Sequence, residues 1–222
     1  MSSDLIAACY GDIVYIARNM RDLDAEEIFP LTWTGKPEDL AAMSIAAGGI
    51  STVALSDGMP VAAYGAYLGR PKCWTVWMFA TDRWSEVALP VTRDIKRNMM
   101  PAMLEGGAVR ADCWSMDGHD IAHRWLECLG AIRECSVEDY GPTRKIFHCY
   151  SWTRSRLERD GDFNYVHRAS RSKSSQAATA TASTGAPPSK GRSRAKRGSN
   201  GKTKTTSGSI GPSIDNFIGQ PG

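Results

Sequence analysis

At 222 residues, 42% of them hydrophobic, the chain has the length of one domain with an appendage. No apolar run approaches the roughly 18–20 residues that span a bilayer, and the N-terminus lacks a basic-then-apolar leader pattern; the expectation is a soluble protein made in a cytoplasm, with no membrane span. The formal charge of +3 hides a division: residues 168–222 hold ten Lys or Arg against one acid, which leaves 17 basic and 23 acidic residues in 1–167.

Residues 1–12 carry no pattern, and Ile13–Ala17 reads as a first strand. An Asp22 cap followed by Asp24, Glu26 and Glu27 predicts a helix whose acids suit the positive end of its dipole, and Pro30 ends it early. A second helix is predicted from about Thr34 to Ala47, closed by Gly48-Gly49. Then comes a meander: a strand over 51–55, an Asp57-Gly58 hairpin turn, a longer strand over 60–68, and a third over 73–80. The third, Cys-Trp-Thr-Val-Trp-Met-Phe-Ala, is apolar without alternation, as in a central strand covered on both faces. Its Trp74, Trp77 and Phe79 read as core.

Thr81–Glu86 reads as a polar loop. A helix with Val91, Ile95, Met99 and Met103 on one stripe follows, with Pro90 in its first turn and Pro101 kinking its end. After a strand at 109–114, residues 117–131 predict an amphipathic helix capped by Asp117 or His119. Ile121, Ala122, Trp125, Leu126 and Leu129 form its apolar stripe and Gly130 its stop. Strands at 132–137 and 144–152 complete the order β, α, α, β, β, β, α, β, α, β, β. Residues 154–167 are a transition, of which Arg154–Asp160 reads as a short helix or an extension of the last element. Residues 168–222, a Ser/Thr/Ala/Gly/Lys/Arg segment, lack the apolar content to offset ordering entropy and read as a disordered basic tail, with an apolar tip at 210–218.

Six single cysteines without a CxxC pair, Cys9, Cys73, Cys113, Cys128, Cys135 and Cys149, read as free, buried thiols. His119 and His123 share a helix face but lack an HExxH context, and no Gly-x-Ser-x-Gly elbow accompanies the Ser, His and Asp residues. No metal site is expected.

The order of elements, and His119-x-x-Ala122-x-x-Trp125-Leu126-Glu127-x-Leu129-Gly130-Ala131 in particular, resembles the GNAT-type N-acyltransferase superfamily. The resemblance implies an α/β (α+β) domain over 1–153, with a mixed six- to seven-stranded sheet flanked by about four helices. It implies two central parallel strands that splay to admit acyl-CoA, with the pyrophosphate on backbone N–H groups at a glycine-rich loop and helix start. It further implies a carboxylate base and a tyrosine acid on the later helix. The sequence departs from that pattern: residues 80–90, Ala-Thr-Asp-Arg-Trp-Ser-Glu-Val-Ala-Leu-Pro, contain no glycine, two acids and a bulky Trp84, and Leu126 stands at the tyrosine position. Cofactor-binding candidates carried over by position are Phe79, Ala80, Arg83, Trp84, His119 and Ala122; catalytic candidates are Asp82, Asp112 and Tyr140, with Asp117 and Tyr64 behind them.

Pro60–Gly65, Lys72–Asp82 and His123–Ala131 look like segments of acyltransferase-like proteins of short-tailed, autographivirus-type bacteriophages, linked to the internal virion core or its assembly. That resemblance implies a non-catalytic GNAT-fold protein of the virion or host cytoplasm, partnered by other virion proteins. Lys190, Arg192, Arg194, Lys196, Arg197, Lys202 and Lys204 offer DNA phosphates, or an acidic protein, a sequence-independent attraction. The alternative is an active acetyl-CoA-dependent N-acyltransferase with a divergent cofactor loop. A dedicated nucleic-acid binder ranks last, because no aromatic residue is interleaved with the basic ones.

Overall fold

The computed structural model describes residues 3–159. The expectations for the basic segment 168–222, its apolar tip, and residues 160–167 fall outside the described residues. The chain runs β1 (Ser3–Ala7), α1 (Tyr10–Arg18), α2 (Asp22–Ile28), a 3-10 turn (Phe29–Leu31), α3 (Pro37–Ala46), β2 (Ile50–Ser56), β3 (Met59–Arg70), β4 (Cys73–Ala80) and α4 (Trp84–Asp94). A π-helical segment (Ile95–Met99) leads into α5 (Met100–Glu105), β5 (Arg110–Met116), α6 (Asp120–Cys128), β6 (Ile132–Tyr140), β7 (Lys145–Thr153) and α7 (Arg154–Arg159).

The strands make one seven-stranded sheet in the order β1-β2-β3-β4-β5-β7-β6. Every neighbouring pair is antiparallel except β4 with β5. A parallel pair needs a crossover, which α4, the π segment and α5 supply. On one face Ile13, Ile16 and Ala17 of α1 and Leu40 and Ala41 of α3 bury against Val53, Ala63 and Phe79. On the other, Val87, Val91, Ile95, Met99 and Met103, with Leu126 and Leu129 of α6, pack on Ala62, Tyr64, Tyr150 and Trp152. The predicted stripe of Val91, Ile95, Met99 and Met103 is thus the core face of one long helical element.

Three local expectations are corrected. Ile13–Ala17 is helix, not strand: the buried positions are 13, 16 and 17, a helical spacing, while Val14 is only half-buried and Tyr15 exposed. Five apolar residues are too few to separate period 2 from period 3.6, and the first strand lies earlier, at Ser3–Ala7. The loop at Thr81–Glu86 is cut short because α4 already begins at Trp84. Pro90 therefore stands inside that helix rather than in its first turn, where it withholds an N–H from the carbonyl of Glu86. Pro101 has no N–H for the turn before it either, and the π segment Ile95–Met99 absorbs that mismatch.

The helix α6 ends as predicted. Gly130, at φ 88°, donates its N–H to Glu127 O (2.8 Å), and Ala131 N–H reaches Leu126 O (3.0 Å), closing the last turn. All six cysteines are free thiols, but only Cys149 is buried; Cys9, Cys128 and Cys135 are exposed, contrary to the expectation of buried ones.

Candidate functional site

The parallel pair β4–β5 is short. Only Cys73, Trp74 and Thr75 pair with Arg110, Ala111 and Asp112. Beyond Thr75 the two strands part, and a cavity of about 200 Å³ opens between them, the π segment, α5 and α6. Ala80 bonds into the split, and strand alternation turns the backbone edge groups of Val76 and Met78 the same way. The apolar wall is built by Met99, Met103, Trp125, Leu126 and Trp152.

A polar clamp bridges the open end. Arg21 at the N-cap of α2 and Asp24 and Glu27 within it recur every three residues, so all three come to one side of this short helix. Arg21 grips Asp24 with two donors, Nε to Oδ2 at 3.0 Å and Nη2 to Oδ1 at 2.8 Å. Asp24 Oδ2 accepts the N–H of Ala80 at 2.9 Å, and the N–H of Arg21 donates to Ala80 O at 2.9 Å. Glu27 Oε2 accepts Ser115 Oγ–H (3.1 Å) and Met116 N–H (3.0 Å) at the end of β5, and meets His119 Nδ1 at 2.8 Å. His119 Nε2 lies 3.3 Å from Asp24 Oδ1. The edge groups of Ala80 and Met116, which strand separation would orphan, are thereby satisfied from Arg21, Asp24 and Glu27.

Burial alone disfavours a charged His119, but its hydrogen bonds to Asp24 and Glu27 outweigh that and raise its pKa to about 9. At neutral pH the imidazolium donates from both nitrogens and cannot serve as a base. The clamp is one of two cations and two carboxylates, each engaged with another. Beside it Trp84 is buried, meeting Trp125 edge-on with ring centroids 5.3 Å apart, and the Arg21 guanidinium lies 5.8 Å from the Trp84 ring centre.

No family profile matches the sequence. No curated protein matches it either. Solved structures do match in shape. The ribosomal-protein-S18-alanine N-acetyltransferase of Escherichia coli superposes with a TM-score of 0.51 at 12% identity, covering 68% of this chain and 94% of its own. An N-acetyltransferase of Staphylococcus aureus Mu50 gives 0.53 at 11%, covering 69% and 99%. A GNAT-family acetyltransferase of Bacillus anthracis gives 0.52 at 9%, covering 69% and 95%.

The fold is the GNAT fold.

One further GNAT-fold match, from Salmonella typhimurium, was solved with acetyl-CoA (TM-score 0.52, 10% identity, covering 69% of this chain and 94% of that one). The residues of this chain do not fit that cofactor's phosphates. After β4 three backbone donors are spent internally: Arg83 N–H on Thr81 Oγ1 (3.3 Å), Trp84 N–H on Thr81 O (3.0 Å), Glu86 N–H on Arg83 O (3.0 Å). The start of α4 carries Glu86, whose carboxylate is bound by Arg83 Nη2 (2.7 Å) and Ser56 Oγ (2.6 Å). Those hydrogen bonds, the one from Arg83 first, lower its pKa, so a carboxylate already paired with a guanidinium takes up the start of α4.

Of the residues singled out from sequence, Ala80, Trp84, His119 and Ala122 come together around the split. Phe79 faces away, buried beneath α1 and α3 and stacked on Trp77. Arg83 turns to Glu86. Asp82 is exposed in the turn before α4. Asp112 sits at the paired end of β4–β5, bound by Arg110 Nε at 2.6 Å. Tyr140 stacks on Trp114 (5.0 Å) and Phe147 (4.7 Å), and burial raises its pKa. Tyr64 lines the cavity, but its hydroxyl donates to Asp94 (2.7 Å), and burial followed by that bond pushes its pKa far up. Asp117 pairs with His148 Nε2 at 2.9 Å. His119 and His123 part company: His123 packs against His148 and Tyr150 instead of the clamp.

Sequence reading missed Arg21, Asp24 and Glu27. Their three-residue spacing was visible, yet the acids were assigned to the helix dipole. Asp24 is only 2% exposed, so its partners are tertiary.

Proposed function

We propose that this GNAT-fold chain acts as a non-catalytic scaffold that does not hold acyl-CoA. One observation carries the reading: the N–H groups of Arg83, Trp84 and Glu86 and that of Ala80, where the family's cofactor would bind, are already bonded within the chain. Leu126, buried on α6, supports it, since a hydrocarbon at the tyrosine position transfers no proton. The finer proposal is a role in the structure or assembly of a short-tailed phage particle. Its supports are the resemblance over residues 60–150 and the basic composition of 168–222, which suits an acidic protein surface or DNA.

Calorimetric titration of the full chain with acetyl-CoA tests the first part. Heat that disappears as salt rises reports the basic segment alone. Binding tighter than about 100 μM that survives salt and perturbs tryptophan fluorescence overturns the scaffold reading and restores the N-acyltransferase alternative. Recovery of the chain free of assembled particles sinks the finer proposal.

A further inference from the structure

The clamp shuts one end of the split; what stays open is apolar. The cavity of about 200 Å³ is larger than the apolar cavities of about 150 Å³ that stay dry and take up small hydrophobic molecules. Its charged neighbours are engaged: Arg21 with Asp24, His119 with Glu27, and Arg154 with the carbonyls of Leu104 (2.7 Å) and Ala108 (3.0 Å). An ionic ligand would have to break those pairs. The π segment ends at Met99, and Met99, Met100 and Met103 all line the space. Methionine is unbranched and polarisable, which lets a wall refit around apolar guests of differing shape. π segments recur at binding sites because they push side chains out of helical register.

We propose that the split binds a neutral apolar ligand, a medium-length alkyl chain, lodged between the π segment with α5 on one side and α6 on the other. The proposal rests on the reading that acyl-CoA is not the ligand. The clamp would then cap the cavity and keep water from its apolar wall, while the Val76 and Met78 backbone edge offers one neutral polar strip.

The test is methyl NMR of the full chain carrying 13C-methyl methionine, titrated separately with 1-decanol, decanoate and acetyl-CoA. The expected result is a saturable shift of the Met99 and Met103 methyls with decanol, level at one equivalent, while exposed Met43 and Met59 stay still. Decanoate is expected to bind at least about tenfold more weakly, the equivalent of about 1.4 kcal/mol. No shift up to the solubility limit of decanol, or equal shifts at Met43 and Met59, overturns the proposal. Decanoate as tight as decanol overturns the neutral-ligand assignment. A Met78 shift with acetyl-CoA overturns the scaffold reading instead, so the two failures are distinct. Ala122→Trp, which fills the cavity, should abolish the decanol shifts. Should that variant not fold, displacement of the neutral fluorophore N-phenyl-1-naphthylamine by decanol from the wild-type chain decides the same point: displacement supports a shared cavity, and its absence overturns it.

Discussion

His119 ties the start of α6 to α2, meeting Asp24 and Glu27 from the two nitrogens of one imidazole. Removing it leaves Asp24 and Glu27 buried with fewer partners, so His119→Ala is expected to destabilise the fold by about 3–5 kcal/mol, read from urea midpoints. The pH dependence has a definite sign. A folded pKa of about 9 stands above the ordinary histidine value of 6.5. The stability it contributes is full below about 6.5 and is lost as pH rises through about 9. The gap in unfolding free energy between wild type and His119→Ala should therefore narrow from pH 6 to pH 10; a gap that widens with pH would falsify the protonated assignment. Trp84 acts by volume. Trp84→Ala should cost about 3–5 kcal/mol, because Val87, Trp125 and the Arg21 stem cannot close over a hole of that size.

Among the elements, the helix-to-strand turns separate two kinds of glycine requirement. Gly130 has φ 88°, but an added Cβ would meet only Trp152 Nε1 at 4.0 Å. Gly130→Ala should cost the left-handed backbone penalty alone, about 1–2 kcal/mol. Gly49, after α3, has φ 91° and would place a Cβ 2.3 Å from Ala66 O, a backbone atom of the neighbouring strand. Gly49→Ala must pay strain and displace β3, so its loss of stability in thermal melts should exceed that of Gly130→Ala. The reverse order would mean that the β2–β3 pairing yields more readily than the end of α6. The π segment between α4 and α5 is a third local compromise: it lets two prolines stand in one helical element while keeping Val91, Ile95, Met99 and Met103 in the core.

For the whole molecule the charge division sets the prediction. Ten basic residues against one acid in 168–222 suit phosphate contacts made without base recognition. If DNA is the partner, affinity of the full chain for duplex DNA should fall by about a thousandfold or more between about 50 and 200 mM salt, with no dependence on base sequence, measured by fluorescence anisotropy. Salt-insensitive binding, or none, moves the proposed partner to protein. The split lies elsewhere in the chain and answers to different chemistry, so decanol should leave that salt slope unchanged.

Much of the architecture was legible in the residues. The Asp57-Gly58 hairpin, the unbroken apolar run of β4, the stripe on α4–α5 and the Leu-Gly stop of α6 each follow from local sterics and periodicity, which act over a few neighbours. The glycine-free stretch after β4 and Leu126 are likewise departures from the GNAT pattern that the residues show by themselves. Helix α1 was misread because its five-residue apolar run satisfies both periods, and only burial against β2–β4 chooses between them. The clamp was not legible at all. Arg21, Asp24 and Glu27 read as ordinary residues of a short acidic helix and its cap until β4 and β5 separate and leave Ala80 and Met116 with edge groups to satisfy. That need arises between strands some thirty-six residues apart in sequence, bridged from α2 more than fifty residues before one of them and more than eighty before the other. Local chemistry determined the elements; the satisfaction of buried polar groups, a property of the assembled sheet, decided what the split can hold.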